Sequence, residues 1–281
     1  MGSSKIYVGC TLTVSLPDRS FVNLKELKLS YREKGKGEAL IFIHGMGGDS
    51  GNWKTQYEVF SQRYRVIGWD APGYGESDKW KIDIPSTGDY AMLIMNFMDA
   101  LKIRSAHLVG HSYGAIMVMA LYRSFRDRVL SFTLAEPVTG GGTTSFEERC
   151  SSIQVREREL DDLGSEGFAR LHVPRSCSPS ADPEIIKQGV EIAKQLNPEG
   201  YLTQFRSLLH ANIFEWTIRP RIPSMIVGGE NDGTAQLSEI NKIFNSLPGS
   251  EKYIIPDIGH MIYLEYPERF NRLLDKFLKK V

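Results

Sequence analysis

The chain lacks what marks several large classes of protein. Its 281 residues include only three cysteines, Cys10, Cys150 and Cys177. Odd in number and widely spaced, they form neither a disulfide framework nor a zinc-ligand pattern, and read as free thiols in a reducing compartment. No apolar run approaches the roughly 18 residues that a membrane-spanning helix needs. The opening Met-Gly-Ser-Ser-Lys-Ile-Tyr-Val has no signal-peptide apolar region, and Ile6 stands where a myristoylation site needs Ser or Thr. An excess of charge is missing too: 34 Lys+Arg balance 34 Asp+Glu. With no global field, nothing draws nucleic acid or an anionic membrane. The stretch Gly45 to Gly51 lacks the lysine of a phosphate loop, and no metal-ligand cluster is evident. These absences predict a cytoplasmic protein with no cofactor, no metal, no nucleic-acid partner and no membrane association. They leave the oligomeric state open.

What is present supports a folded α/β protein. An apolar share of 41% is near the globular norm. The length allows one large domain or a core with an inserted subdomain. Tyr7 to Leu16 and Leu24 to Glu33 contain alternating apolar residues around Pro17-Asp18, which predicts an antiparallel hairpin at a sheet edge. Ala39 to Ile43 is continuously apolar, as befits a strand covered on both faces. Further strands are predicted at Tyr64 to Trp69, Ala106 to Val109, Val129 to Leu134, Ser224 to Val227 and Lys252 to Ile255. Helices are predicted at Trp53 to Ser61, Thr87 to Leu101, from Ala115, at Leu237 to Asn245 and at Pro267 to Lys280. The alternation predicts a doubly wound, mostly parallel sheet, with ligands beyond the carboxyl ends of its strands.

Between Val138 and about Pro220 the rhythm stops. Gly140-Gly141-Gly142 reads as a hinge, followed by helices at Ser145 to Leu163, Pro183 to Gln195 and Tyr201 to Leu209. The charged run Glu147 to Asp162 reads as a solvated face. The division expected is a core of residues 1–137 and 218–281 with a helical cap at 138–217. Trp53, Trp80, Phe214 and Trp216 are candidates either to line a pocket or simply to fill the core.

The stretch that carries chemistry is Gly110-His111-Ser112-Tyr113-Gly114, a G-x-S-x-G turn between a strand and a helix. In such an elbow the serine takes a strained conformation, and glycines two residues either side remove the Cβ atoms that would collide. A serine hydroxyl needs an adjacent base. Of six histidines, His44 reads as structural, His107 opens a strand, His111 projects away from Ser112, and His172 and His210 lie in cap-like sequence. His260 leaves a strand at the edge that carries Ser112. That histidine needs a carboxylate to hold its tautomer. Asp232, deep in the Gly228 to Gly233 loop, is the choice over Glu230 beside it and Glu136 after an earlier strand.

The order Ser112, Asp232, His260, with His44-Gly45, Gly73-Tyr74-Gly75-Glu76-Ser77 and Glu265-Tyr266-Pro267-Glu268-Arg269-Phe270, resembles the α/β-hydrolase fold family from about Leu24 to Phe277. The resemblance implies an eight-stranded sheet and an oxyanion hole built from the backbone N–H groups of Met46 and Tyr113. A serine nucleophile departs from epoxide hydrolases and haloalkane dehalogenases. Met46-Gly47-Gly48 matches neither the glycine run of hormone-sensitive-lipase-like esterases nor, closely, the Gly-Pro-Gly turn of meta-cleavage-product hydrolases. The cap prolines resemble those of 3-oxoadipate enol-lactonases and related small carboxylesterases. The expected function is therefore a serine hydrolase acting on a small-molecule ester or lactone. Alternatives are C–C bond cleavage of a meta-cleavage product, amide or lactam hydrolysis, and a ligand receptor on the same fold.

Overall fold

The computed structural model describes residues 15–281. Strands β1 (Arg19–Leu24) and β2 (Leu27–Lys34) form an antiparallel hairpin. They are followed by β3 (Glu38–Ile43), β4 (Tyr64–Trp69), β5 (Ala106–His111), β6 (Val129–Ala135), β7 (Ser224–Gly229) and β8 (Glu251–Ile255). All pairings among β3 to β8 are parallel, and the eight strands run in the order β1-β2-β4-β3-β5-β6-β7-β8. Nine helices are described: α1 (Lys54–Phe60), α2 (Thr87–Ala100), α3 (Tyr113–Ser124), α4 (Phe146–Ser176), α5 (Pro183–Ala193), α6 (Pro198–His210), α7 (Leu237–Ser246), α8 (Ile262–Glu265) and α9 (Pro267–Leu278).

Strand β3 shows why the helices lie on both sides. Ile41 points into one apolar cluster with Tyr90, Ile94 and Phe97 of α2 and Ile116 of α3. Its neighbours Leu40 and Phe42 point the other way, to Tyr57 and Phe60 of α1 and Phe270 and Leu274 of α9. A strand with two apolar faces has no solvated side to alternate toward, hence its unbroken apolar run. Helix α3 is buried from Tyr113 through Tyr122. It is accordingly apolar all round, as an interior helix must be.

The edge hairpin departs from expectation. Its turn falls at Lys25-Glu26, so β1 begins after Pro17-Asp18 instead of ending there. The true turn carries no glycine, asparagine or proline, and Lys25 takes a positive φ of 33°. The stronger turn formers upstream drew the boundary to the wrong place. The part of the expected first strand from Tyr7 to Val14 lies outside the described residues.

The segment between β6 and β7 holds α4, α5 and α6. Helix α4 starts on a capping box, with Ser145 Oγ accepting the Glu148 N–H and the Glu148 carboxylate accepting the Ser145 N–H. It bends at Gly164 (φ 62°) and continues to Ser176. The helix end expected at Leu163 falls short of this, because the second half of α4 is unmarked in the sequence. Gly164, Gly167 and Pro174 each weaken the helical signal there, and tertiary packing overrides them. The glycines at 140–142 serve close approach: Gly141 N–H donates to Leu208 O (3.0 Å) and Gly142 N–H to Ala211 O (2.8 Å). A Cβ on Gly140 would stand 2.2 Å from Ala211 O.

Candidate active site

Parallel register brings the important loops to one rim. Ile43 pairs with Gly110, His111 with Ala135, Ala135 with Val227, and Gly229 with Ile255. The loops after β3, β5, β6, β7 and β8 therefore leave the sheet side by side, at the carboxyl ends where open α/β sheets bind ligands.

Ser112 sits between β5 and α3 with φ 54° and ψ −120°. The turn leaves no space for a larger neighbour. A Cβ on Gly110 would stand 2.5 Å from Gly114 O, and one on Gly114 would stand 2.4 Å from Ile43 O. A Cβ on Gly45 would lie 2.7 Å from the Ser112 Cβ, so the loop after β3 passes directly beside the serine.

His260 Nε2 lies 2.9 Å from Ser112 Oγ, and His260 Nδ1 lies 2.7 Å from Asp232 Oδ2. All three side chains are buried in the wall of a cavity or just behind it. The other oxygen of Asp232, Oδ1, accepts the N–H groups of Thr234 and Ala235, both at 2.8 Å. The imidazole is thus fixed with Nδ1–H donating to Asp232, which leaves the Nε2 lone pair toward the serine. The His260 backbone N–H donates to Ser176 O at the end of α4 (2.7 Å).

The rival acids lie elsewhere. Glu230 is exposed to solvent. Glu136 is fully buried, but it accepts the Ile262 N–H (3.2 Å) and faces His111 Nε2 (3.1 Å) instead of His260 Nδ1. Burial and the nearby Asp232 push its carboxyl well above the ordinary range. The His111 Nε2 also reaches His260 O at 2.8 Å. Burial and the adjacent His260 hold His111 well below the ordinary histidine value, so it is neutral. This buried His111–Glu136 bridge beneath the His260 loop was not anticipated. Only the position of Glu136 at a strand end hinted at it.

His44 joins two loops: its Nδ1 donates to Gly45 O (2.8 Å), and its Nε2 accepts the Ala71 N–H (3.0 Å). Burial keeps it below its ordinary pKa. Met46 lines the cavity next to Ser112. Tyr113 is the first residue of α3, where backbone N–H groups have no partner within the helix. Its hydroxyl meets Ser207 of α6, and burial pushes it up to about 12. Among the described residues, His111, Glu136 and His260 are the grouping whose ligand atoms lie within 4.8 Å of one another. Both ring nitrogens of His260 and both oxygens of Glu136 are already committed to hydrogen bonds.

The cavity measures about 470 Å³, a size suited to a small molecule. Its far wall comes from α4 and α6, with Arg156, Phe168, His172, Tyr201 and Phe205. None of Trp53, Trp80, Phe214 and Trp216 lines it. Trp53 is buried against Phe42 and Tyr263, and Trp80 packs edge-on to Tyr90. Arg156 corrects the reading of the charged run, since it lies on the inward stripe of α4 with Ile153 and Leu160.

Comparison with known proteins agrees with this architecture. Residues 38–153 match the family model described as alpha/beta hydrolase fold. The chain is 26% identical over 264 residues to 2-hydroxy-6-oxo-6-phenylhexa-2,4-dienoate hydrolase of Burkholderia cepacia, covering 91% of this chain and 92% of that one. A thermophilic esterase from Thermogutta terrifontis superposes with a TM-score of 0.82 at 24% identity, covering 94% of this chain and 98% of the esterase. Est816, described as an N-acyl homoserine lactone degrading enzyme, gives a TM-score of 0.77 at 27% identity, covering 92% of this chain and all (100%) of its own. Among the described residues, no helix is long and apolar enough to cross a membrane.

Proposed function

We propose, from its α/β-hydrolase fold, that the chain is a serine hydrolase that cleaves a small carboxylic ester or lactone through an acyl-enzyme. The observation that carries the proposal is the 2.9 Å approach of His260 Nε2 to Ser112 Oγ at a small-molecule cavity. In this reading Ser112 Oγ passes its proton to His260 and bonds to the substrate carbonyl carbon. The oxyanion formed is met by the N–H groups of Met46 and Tyr113. Collapse breaks the bond to the alkoxide, which takes the proton from His260. Water then gives a proton to His260 and attacks the acyl carbon. The acid departs as Ser112 recovers its proton. Asp232 holds the histidine in the required tautomer and offsets its charge.

Residues 138–217 act in this proposal as a cap over a core of 1–137 and 218–281, supplying the far wall of the cavity. The setting is cytoplasmic, in keeping with the free thiols of Cys150 and Cys177. Lactone substrates draw support from the likeness to Est816. The test is hydrolysis of short 4-nitrophenyl esters and lactones by the protein and by Ser112→Ala. Turnover lost in the variant is expected, and full-rate turnover by the variant would refute the proposal. A second reading, C–C bond hydrolysis by the same three residues, is favoured by the likeness to the B. cepacia hydrolase. Loss of colour from a catechol ring-fission product on mixing with the protein would select it.

A further inference from the structure

The cavity wall opposite Ser112 has an uneven charge. Arg156 and Arg175 line it, and no aspartate or glutamate is among the described residues that do so. The Arg156 guanidinium lies over the rings of Phe168 (5.8 Å) and Phe205 (5.5 Å). Its Nη1 donates to Glu159 Oε2 at 2.6 Å, while its Nε is enclosed and has no acceptor. His172 completes the cluster, with Nε2 2.8 Å from Glu159 Oε2 and 2.9 Å from Arg156 Nη1. Burial and the adjacent arginine keep His172 below its ordinary pKa and so uncharged at neutral pH. Glu159, set behind the wall, is the carboxylate that opposes Arg156. Arg175 is exposed and joins the same lining. Two cations against one carboxylate leave this wall positive, in a protein whose total charge is zero.

We propose that this wall is a subsite for an anionic group on the substrate, a carboxylate remote from the bond that Ser112 attacks. The proposal rests on the reading of Ser112 and His260 as the reacting centre. A carboxylate entering a largely apolar cavity gives up water, and it does so readily only where charged donors replace that water. Arg156 supplies them from a guanidinium already positioned by Glu159 and two aromatic rings. Arg175 adds attraction at an exposed position, where salt screens it. A substrate bearing this group is held at one end while its ester or lactone carbonyl meets Ser112 at the other.

The experiment compares the 4-nitrophenyl monoester of adipic acid, whose far end is a free carboxylate, with the same ester ending in a primary amide. The protein should prefer the carboxylate in kcat/KM by about ten- to hundredfold, the worth of one hydrogen bond to a charged group. The preference should fall to near one in Arg156→Gln, fall in part in Arg175→Gln, and shrink as salt is added. Equal rates on the two esters, or a preference unchanged in Arg156→Gln, would overturn the proposal. Should Arg156→Gln fail to fold, the wild-type preference and its partial fall in Arg175→Gln decide, and a preference unchanged in Arg175→Gln overturns the proposal. If neither ester is cleaved, the hydrolase reading fails by itself, and calorimetry with adipate judges the subsite. Binding weakened about tenfold or more in Arg156→Gln or Arg175→Gln would support it, and no binding to the wild-type protein would overturn it.

Discussion

At the scale of single residues, each oxygen of Asp232 has a separate task. Oδ1 accepts two backbone N–H groups and Oδ2 accepts from His260. In Asp232→Asn the one remaining oxygen is best used on Thr234 and Ala235, which turns an amide N–H toward His260 Nδ1. The imidazole must then carry its proton on Nε2, facing Ser112, and cannot act as a base. The expected outcome is a folded variant with kcat lower by about 10⁴-fold, read from ester hydrolysis beside a thermal melt. A second residue-scale prediction concerns Glu136. Its folded-state pKa lies well above its unfolded value, because burial and Asp232 disfavour its charge. The unfolded chain therefore binds fewer protons, and this group costs stability progressively as pH rises above the unfolded carboxyl value. Glu136→Gln has no proton to lose. Its Tm relative to wild type should rise between pH 5 and pH 8, and a relative Tm that falls over that range would contradict a neutral Glu136.

At the scale of elements, the site depends on backbones that nearly touch. The end of α4 reaches the His260 loop through Ser176 O. A Cβ on Gly259 would stand 2.3 Å from Ser178 N and 2.5 Å from Cys177 C. Gly259→Ala must push the chain after α4 away from the loop that positions His260. Displacing a catalytic group by about 1 Å costs on the order of a hundredfold in rate, so kcat should fall toward that extent. A steady-state assay at saturating substrate checks this, and an unchanged kcat would mean that α4 does not help to place the histidine. Gly114→Ala acts on the other side of the site, where the added methyl meets Ile43 O at 2.4 Å and His44 O at 2.8 Å. Overpacking of this kind costs about 1–3 kcal/mol, measurable by denaturant unfolding, and it moves the serine as well.

At the scale of the whole molecule, what the sequence revealed and what it hid have a common cause. Unbroken apolar runs such as Ala39 to Ile43 announce strands buried on both faces, and parallel register then dictates which loops meet at the rim. The hydrolase fold and the proximity of the Ser112, Asp232 and His260 loops were legible for that reason. The hairpin turn at Lys25-Glu26 was not, because no turn-forming residue marks it. Nor was the second half of α4, whose glycines and proline deny a helix that packing against the His260 loop enforces. Arg156 was hidden inside a run of charges. Which member of such a run faces inward depends on where the helix docks, and that is a tertiary matter. The His111–Glu136 bridge joins residues from two strand ends across the sheet, and no local pattern records it.

Labelling with a fluorophosphonate, followed by peptide mapping, most directly tests whether His260 makes the Ser112 hydroxyl nucleophilic. A single adduct on Ser112 is predicted, formed at least a thousandfold more slowly in His260→Ala, within the range expected for loss of a triad member. Label on any other residue, or on Ser112 at an undiminished rate without His260, would contradict that chemistry.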